Sequence, residues 1–288
     1  MLTQQPLGDD VLKHWGLQRD PFAHELAAPE DIIDMPELRK AERQIMRAID
    51  RAGWCAVTGQ VGSGKTVLLQ KIEARLATRR DIALVKPQAF EKQYLGARHI
   101  CTAILEDLNI PYSAGGGLES LARRVGEALR GSLRDNRRVV LLIDEAHLLR
   151  IDALLALKRI YEVQDGFRKT LAIILLGQQW LARNLKGNLQ LAEAAQRIDL
   201  YEIESLNGST SLYLKHKLAR AGADSTSAGS TSAGRKEIFA ASAIKEITAR
   251  ADTPLALNNL AAAALMAGWD LGEDTITGDT IRSVYGGK

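Results

Sequence analysis

The chain is short of cysteine, of long apolar runs and of surplus charge. Cys55 and Cys101 are the only cysteines in 288 residues, too few for a disulfide framework. Cys55 falls within an apolar run, and both are expected to be small buried residues in a reducing compartment. The longest uninterrupted apolar stretches are VVLLI at 139–143 and LAIILL at 171–176. Both are far below the ~20 residues of a membrane span. The opening MLTQQPLGDDVLKHW shows no basic-then-apolar leader. The expectation is a soluble, cytoplasmic chain with no membrane partner. Lys and Arg number 38 against 35 Asp and Glu, a net charge of +3. So small a surplus permits contact with nucleic acid without arguing for it. No helix-turn-helix, zinc or RNA-recognition signature occurs. Any nucleic-acid contact should therefore be with phosphates and largely independent of sequence.

What the sequence does have is a specific loop. Residues 57–69 read VTGQVGSGKTVLL, in the spacing G-x-x-x-x-G-K-T. Glycines let a backbone turn tightly and aim its N–H groups at phosphate oxygens. The candidate cradle is Gly59, Gln60, Val61, Gly62, Ser63, Gly64, Lys65, Thr66 and Val67. Lys65 has the reach for the β and γ phosphates, and the Thr66 hydroxyl suits Mg²⁺. A helix starting near Gly64 adds a positive dipole end. Trp54 to Val57 reads as a buried strand, and Val67, Leu68, Leu69, Ile72 and Leu76 fit one helical face. A chance glycine turn before Lys-Thr does not account for that context.

The rest of the chain has room for one sizeable α/β domain plus a small one. Strand signals fall at 53–58, 82–86, 139–143, 171–176 and 198–203. Helical patterns lie at 36–51 and between the strands, as at Leu118, Leu121, Val125, Leu129 and Leu133. The alternation predicts a mostly parallel sheet covered on both faces. Beyond about residue 206 only helices are expected, at 208–221, 235–250, 254–268 and 277–285. The expected division is an N-terminal segment at 1–35, a nucleotide-binding domain at 36–205 and a helical lid at 206–288. STSAG occurs twice in succession, at 225–229 and 230–234. Such small polar residues predict a flexible loop over 224–234.

A second acidic element completes the site. VVLLIDEAH, 139–147, ends an apolar strand on Asp144 and Glu145. Asp144 is suited to hold Mg²⁺, and Glu145 to orient and deprotonate an attacking water. A charged turn is the plainer explanation, but the phosphate loop upstream makes an ATPase the better one. Gln178 closes the next strand, where a polar side chain can meet the γ-phosphate. Arg197 precedes the fifth strand; an arginine there often reaches a neighbouring subunit's nucleotide. A surface ion pair explains that arginine equally well.

GQVGSGKT, LLIDEAH, LLGQ and Arg197, followed by a helical lid, resemble an AAA+ ATPase. HWGLQRDPF and LLGQQWLARNL…AAQRI are similar to its ExeA-like branch, which includes DNA transposition ATPases such as the phage Mu B protein and TnsC. The resemblance implies a five-stranded sheet with a helical lid, ATP and Mg²⁺ bound at subunit interfaces, and homo-oligomers in rings or helical filaments. By it, Gly59 to Thr66 become Walker A, Asp144 and Glu145 Walker B, Gln178 sensor 1, and Arg197 the arginine finger. The branch carries G-x-P-R-x-x-N at a lid helix, and here that arginine position is Leu255. Leucine cannot contact phosphate, so slow hydrolysis is expected, with ATP holding an assembly together.

The implied partners are double-stranded DNA and a transposase. Lys86, Lys92 and Arg98 follow the second strand, where related ATPases often put DNA-facing elements, and Arg123 and Arg124 lie on the next helix. Arg39, Arg43, Arg47 and Arg51 form a stripe, read as a solvated face within reach of Glu37, Glu42 and Asp50. A secretion ATPase of the ExeA type and a helicase loader or other replication ATPase remain alternatives. A helicase, suggested by DEAH at 144–147, needs two RecA-like domains and has room here for one.

Overall fold

A computed structural model describes residues 6–23, 31–87, 95–113, 115–204, 206, 208–223 and 237–286. Its elements run α1 (Asp9–His14), α2 (Pro36–Asp50), β1 (Trp54–Thr58), α3 (Lys65–Ala77), β2 (Ile82–Val85), α4 (Ala97–Asp107), α5 (Leu118–Arg134) and β3 (Arg138–Ile143). Then come α6 (Ile151–Tyr161), the hairpin strands β4 (Gln164–Asp165) and β5 (Arg168–Lys169), β6 (Leu171–Gly177), α7 (Gln179–Gly187), α8 (Ala192–Ala195) and β7 (Ile198–Glu202). Among the described residues the elements that follow are helices: α9 (Thr210–Leu218), α10 (Ala241–Arg250), α11 (Pro254–Asp270) and α12 (Gly278–Gly286). The chain forms two compact units. One is Leu38–Gln60 with Gly64–Ile203; the other is Met1–Glu37, Val61–Ser63 and Glu204–Lys288.

The first unit holds a five-stranded sheet in the order β2-β3-β6-β1-β7. All neighbouring pairs are parallel, as the alternation of strands and helices required. Every residue of β1 and β6 is buried, so neither strand alternates polar and apolar positions. Trp54, Val139, Leu141, Ile173 and Leu175 share one apolar cluster with Ile104, Leu129, Leu157 and Leu185 of the helices. The alternate residues Val57, Val140, Leu142, Ile174 and Leu176 are buried too, so both faces are covered. Arg138 fixes the end of α2 by donating to the carbonyls of Ile49 and Asp50, at 2.9 and 2.6 Å. Cys55 and Cys101 are buried and unpaired.

Among the described residues, the regular structure of the second unit is helical apart from a bridge between Phe239 and Ile276. That bridge is why α10 starts only at Ala241, short of the helix expected from residue 235. Thr253 caps α11, accepting from the Ala256 N–H at 3.2 Å, and Pro254 fills the first turn, where no N–H is needed. The N-terminal segment has no helical periodicity, yet α1 forms and Trp15 donates its indole N–H to the Leu265 carbonyl at 3.0 Å. Phe22 is wholly buried, edge-on to Phe239. Asp31 accepts from both Arg19 and Arg220. The STSAG duplication lies outside the described residues. No described helix is long and apolar enough to cross a membrane.

Candidate functional site

Strand β1 delivers the chain into the glycine loop. Gly59 N–H donates to the Gly177 carbonyl at 3.2 Å, and Ile203 N–H to the Thr58 carbonyl at 2.7 Å. The loop's root is thereby held at the carboxyl ends of neighbouring strands, where ligands of open α/β sheets bind. Gly62 and Gly64 have φ of 76° and 91°, values an L side chain resists. Gly64 opens α3, whose ladder begins with the Leu68 N–H donating to its carbonyl at 2.9 Å. The N–H groups of Lys65, Thr66 and Val67 precede that first bond and share the positive end of the helix.

Lys65 folds back onto the loop, donating to the carbonyls of Gly59 and Gln60 at 2.9 and 2.6 Å. Burial pulls its ammonium below the ordinary lysine value, and the Asp144 carboxylate draws it partly back. Asp144 follows β3 and accepts from the Glu145 N–H at 2.8 Å. Glu145 is exposed and left-handed, at φ 53° and ψ 33°. His147 lies next to this pair. Burial lowers its imidazole pKa, Lys65 lowers it further, and Glu145 and Asp144 oppose both. Gln178 stands at the N-cap position of α7 after β6, and Gly177 before it is tightly confined, since a Cβ there would lie 3.1 Å from the His147 backbone nitrogen.

Gly59, Gln60, Lys65, Asp144, Glu145 and Gln178 therefore converge, with His147 among them. Thr66 is exposed at the first turn of α3, and Val61 is exposed at the loop tip. The set suits a polyanion: glycine backbone in left-handed turns, a helix amino end, and an ammonium now held by loop carbonyls. No group of three or more His, Cys, Asp or Glu side chains among the described residues could hold a metal alone. A cation at Thr66 and Asp144 thus needs further oxygens from its ligand, as Mg²⁺ with a triphosphate has.

Other candidates lie elsewhere. Arg197 is engaged within its own chain by Glu162 at 2.8 Å and Glu193 at 3.0 Å. Lys86 is paired with Glu73, and Arg98 donates to the Gly116 carbonyl at 2.5 Å. Arg123 and Arg124 line a hollow of about 300 Å³ with Tyr112 and Ser120, and Arg124 also meets Glu127. Lys92 lies outside the described residues. Two of the acidic residues expected beside the arginine stripe on α2 are engaged by other arginines. Glu42 pairs with Arg75 and Asp50 with Arg79, both from α3 or its end. Sequence reasoning missed two site features. His147 appeared only as the last letter of DEAH, and the buried Thr58 hydroxyl, which has no hydrogen-bond partner, gave no signal at all.

Residues 47–185 match the family profile described as an AAA domain. The fold is that of an AAA+ P-loop ATPase. General secretion pathway protein A of Aeromonas hydrophila is 31% identical over 150 residues, which is 52% of this chain and 26% of that protein. The chain thus spans about a quarter of the length of this relative. Cdc6p from Pyrobaculum aerophilum superposes with a TM-score of 0.57 at 17% identity, covering 93% of this chain and 70% of that one. Drosophila ORC bound to DNA gives 0.56 at 12% identity, covering 99% and 68%. At these identities the two structures speak for the AAA+ fold alone.

Proposed function

We propose that the chain is an ATP-dependent AAA+ ATPase that binds double-stranded DNA without sequence preference and oligomerises on it. The observation that carries the ATPase reading is geometric: a glycine loop with Gly62 and Gly64 at positive φ opens α3 at the sheet's carboxyl end, with Lys65 on the loop carbonyls and Asp144 following β3. Mg-ATP, when bound, supplies a scissile phosphoanhydride and a cation that offsets its charge. Gly59 to Val67 would cradle the phosphates, with Lys65 leaving its loop carbonyls to meet them. Thr66 and Asp144 would hold the metal. Glu145 takes the proton of an attacking water, and Gln178 orients that water. Arg197, released from Glu162 and Glu193, serves a neighbouring subunit. Leu255 brings no charge to the place of the family arginine, which favours slow turnover and a persistent assembly.

The sequence resemblance to transposition ATPases extends this reading to recruitment of a transposase by the DNA-bound oligomer. The similarity to General secretion pathway protein A favours a second reading, a secretion ATPase with no DNA requirement. One experiment separates them. Duplex binding is measured with and without a non-hydrolysable ATP analogue, and the mixtures are imaged by electron microscopy. Rings or filaments that need both analogue and DNA support the first reading. Lys65→Ala should abolish both nucleotide binding and nucleotide-dependent DNA binding. A parent protein that ignores DNA when saturated with Mg-nucleotide sinks the DNA reading and leaves the secretion one.

A further inference from the structure

Among the described residues, the most exposed large apolar side chain sits on a built structure. Phe167 is 105% exposed, beyond an extended reference chain. It occupies the tip of the hairpin, whose register pairs Gln164 with Lys169 and Asp165 with Arg168. The loop is Gly166-Phe167, and Gly166 takes φ 61°, the conformation a tight hairpin turn demands. The base of the hairpin is fastened on several sides. Thr170 donates its hydroxyl to the Val163 carbonyl at 2.9 Å. Arg130 donates to the Gln164 carbonyl at 3.0 Å, and Arg134 holds Asp165 at 3.0 and 3.2 Å. Lys169 lies 4.5 Å from the centre of the Tyr161 ring. An aromatic ring is thus held out in water on a short, anchored arm.

Its surroundings are basic. Arg130, Arg134, Arg168 and Lys169 stand against Asp165, which Arg134 already neutralises. The Arg168 side chain is exposed and makes no hydrogen bond or close ion pair among the described residues, though the Asp165 carboxylate feels its charge. Tyr161, beneath Lys169, also lines a groove of about 630 Å³ that contains Arg47 and Arg51 together with one acidic residue, Asp199. Those arginines are the part of the α2 stripe whose expected acidic partners are taken by α3. The hairpin precedes β6, so it lies at the amino end of the sheet, away from the glycine loop. An apolar pocket on a protein partner would accept Phe167, but it gives no use to the uncompensated cations around it. A base face flanked by phosphates uses both.

We infer that the Gln164–Lys169 hairpin is a nucleic-acid contact in which Phe167 stacks on an unstacked base and Arg168 holds an adjacent phosphate. The inference rests on the proposed DNA binding and adds a locus that the basic residues after β2 do not provide. Unstacked bases occur in single strands and at bulges or kinks in duplex, where inserted apolar side chains act as wedges.

The test uses the full chain with a non-hydrolysable ATP analogue. Its three probes carry 2-aminopurine in a single strand, at a one-base bulge and inside a perfect duplex. Stacking of Phe167 should change the fluorescence on one or both of the first two probes, and which responds identifies the source of the base. Phe167→Ala should abolish that change and weaken binding to the responding probe about tenfold, while Phe167→Trp retains both. Arg168→Ala should flatten the log–log salt slope by one phosphate's worth, about 0.7 on the single strand or about 0.9 on duplex. Basal ATP turnover should be the same in all variants, which also reports that they fold. If the parent binds DNA and Phe167→Ala binds every probe equally well, the inference is overturned while the proposed function stands. If Phe167→Ala instead weakens self-association alone, the hairpin is a protein contact and the inference is again overturned. If the parent binds none of the probes, the functional reading fails and takes the inference with it.

Discussion

Leu255 approaches Gly62 so closely that a Cβ added to the glycine would lie 2.3 Å from the leucine Cβ. The Leu255 N–H also reaches the Gly62 carbonyl, at a long 3.4 Å. Both residues belong to the same compact unit. The motif of the branch that the sequence resembles has an arginine where Leu255 stands, and the structure gives the leucine a steric task at the loop tip. Gly62→Ala should therefore be costly twice over. The left-handed backbone costs about 1–2 kcal/mol for an L residue, and the overlap with Leu255 adds to it. Urea unfolding should show a loss of at least ~2 kcal/mol. A change below ~0.5 kcal/mol would mean that the contact is not kept in solution.

Phe22 is the anchor of a segment whose periodicity gave nothing away. It is wholly buried and meets Phe239 edge-on, with ring centres 6.4 Å apart. Phe22→Ala should cost about 3–5 kcal/mol, the usual range for a large buried aromatic. The melting temperature should fall steeply, and near-ultraviolet dichroism should report loosened aromatic packing. A loss under ~1 kcal/mol would show that the segment does not dock as described.

His147 makes stability sensitive to acid. Its Nδ1 is buried without a hydrogen-bond partner, and burial lowers its pKa from the ordinary 6.5. The unfolded chain therefore takes up the proton before the folded one does. The stabilising contribution is fully present above pH 6.5 and is lost as the pH falls through the lowered folded value. Unfolding free energies at pH 8 and at successive steps below 6.5 should show this decline, and His147→Asn should lessen it. An equal decline in the variant would assign the effect to other groups.

The sheet was legible because its strands are buried on both faces. VVLLI and LAIILL have no amphipathic reading that competes with a central parallel strand, and each strand appears within a residue or so of its expected limits. The glycine loop was legible because φ and phosphate chemistry constrain the same positions. Contacts distant in sequence were not. Nothing near residue 15 announces that Trp15 will donate to Leu265, and nothing near 239 announces the bridge to Ile276 that delays α10. Two of the acidic residues beside the α2 stripe were misread for the same reason. Neighbours along the helix suggested them, but Arg75 of α3 and Arg79 just beyond it claim Glu42 and Asp50.

Glu145 separates structural from chemical need at one position. Its φ of 53° is a conformation in which a side chain beyond glycine costs about 1–2 kcal/mol, with asparagine among the residues that tolerate it best. A glutamate kept there is kept against its own backbone preference, the pattern expected of a group held for its chemistry. Glu145→Asn should leave stability unchanged or raise it by up to ~1 kcal/mol, while steady-state ATP turnover falls at least ~100-fold through loss of the proton acceptor. Glu145→Gln keeps the side-chain length and the strain, so it should lose turnover to the same degree without any gain in stability. It should still bind nucleotide, and on DNA it should hold the oligomer longer than the parent. Should both variants hydrolyse ATP at the parent rate, another group must activate the water. Should Glu145→Asn unfold instead, the glutamate is structural and its left-handed turn has some other cause.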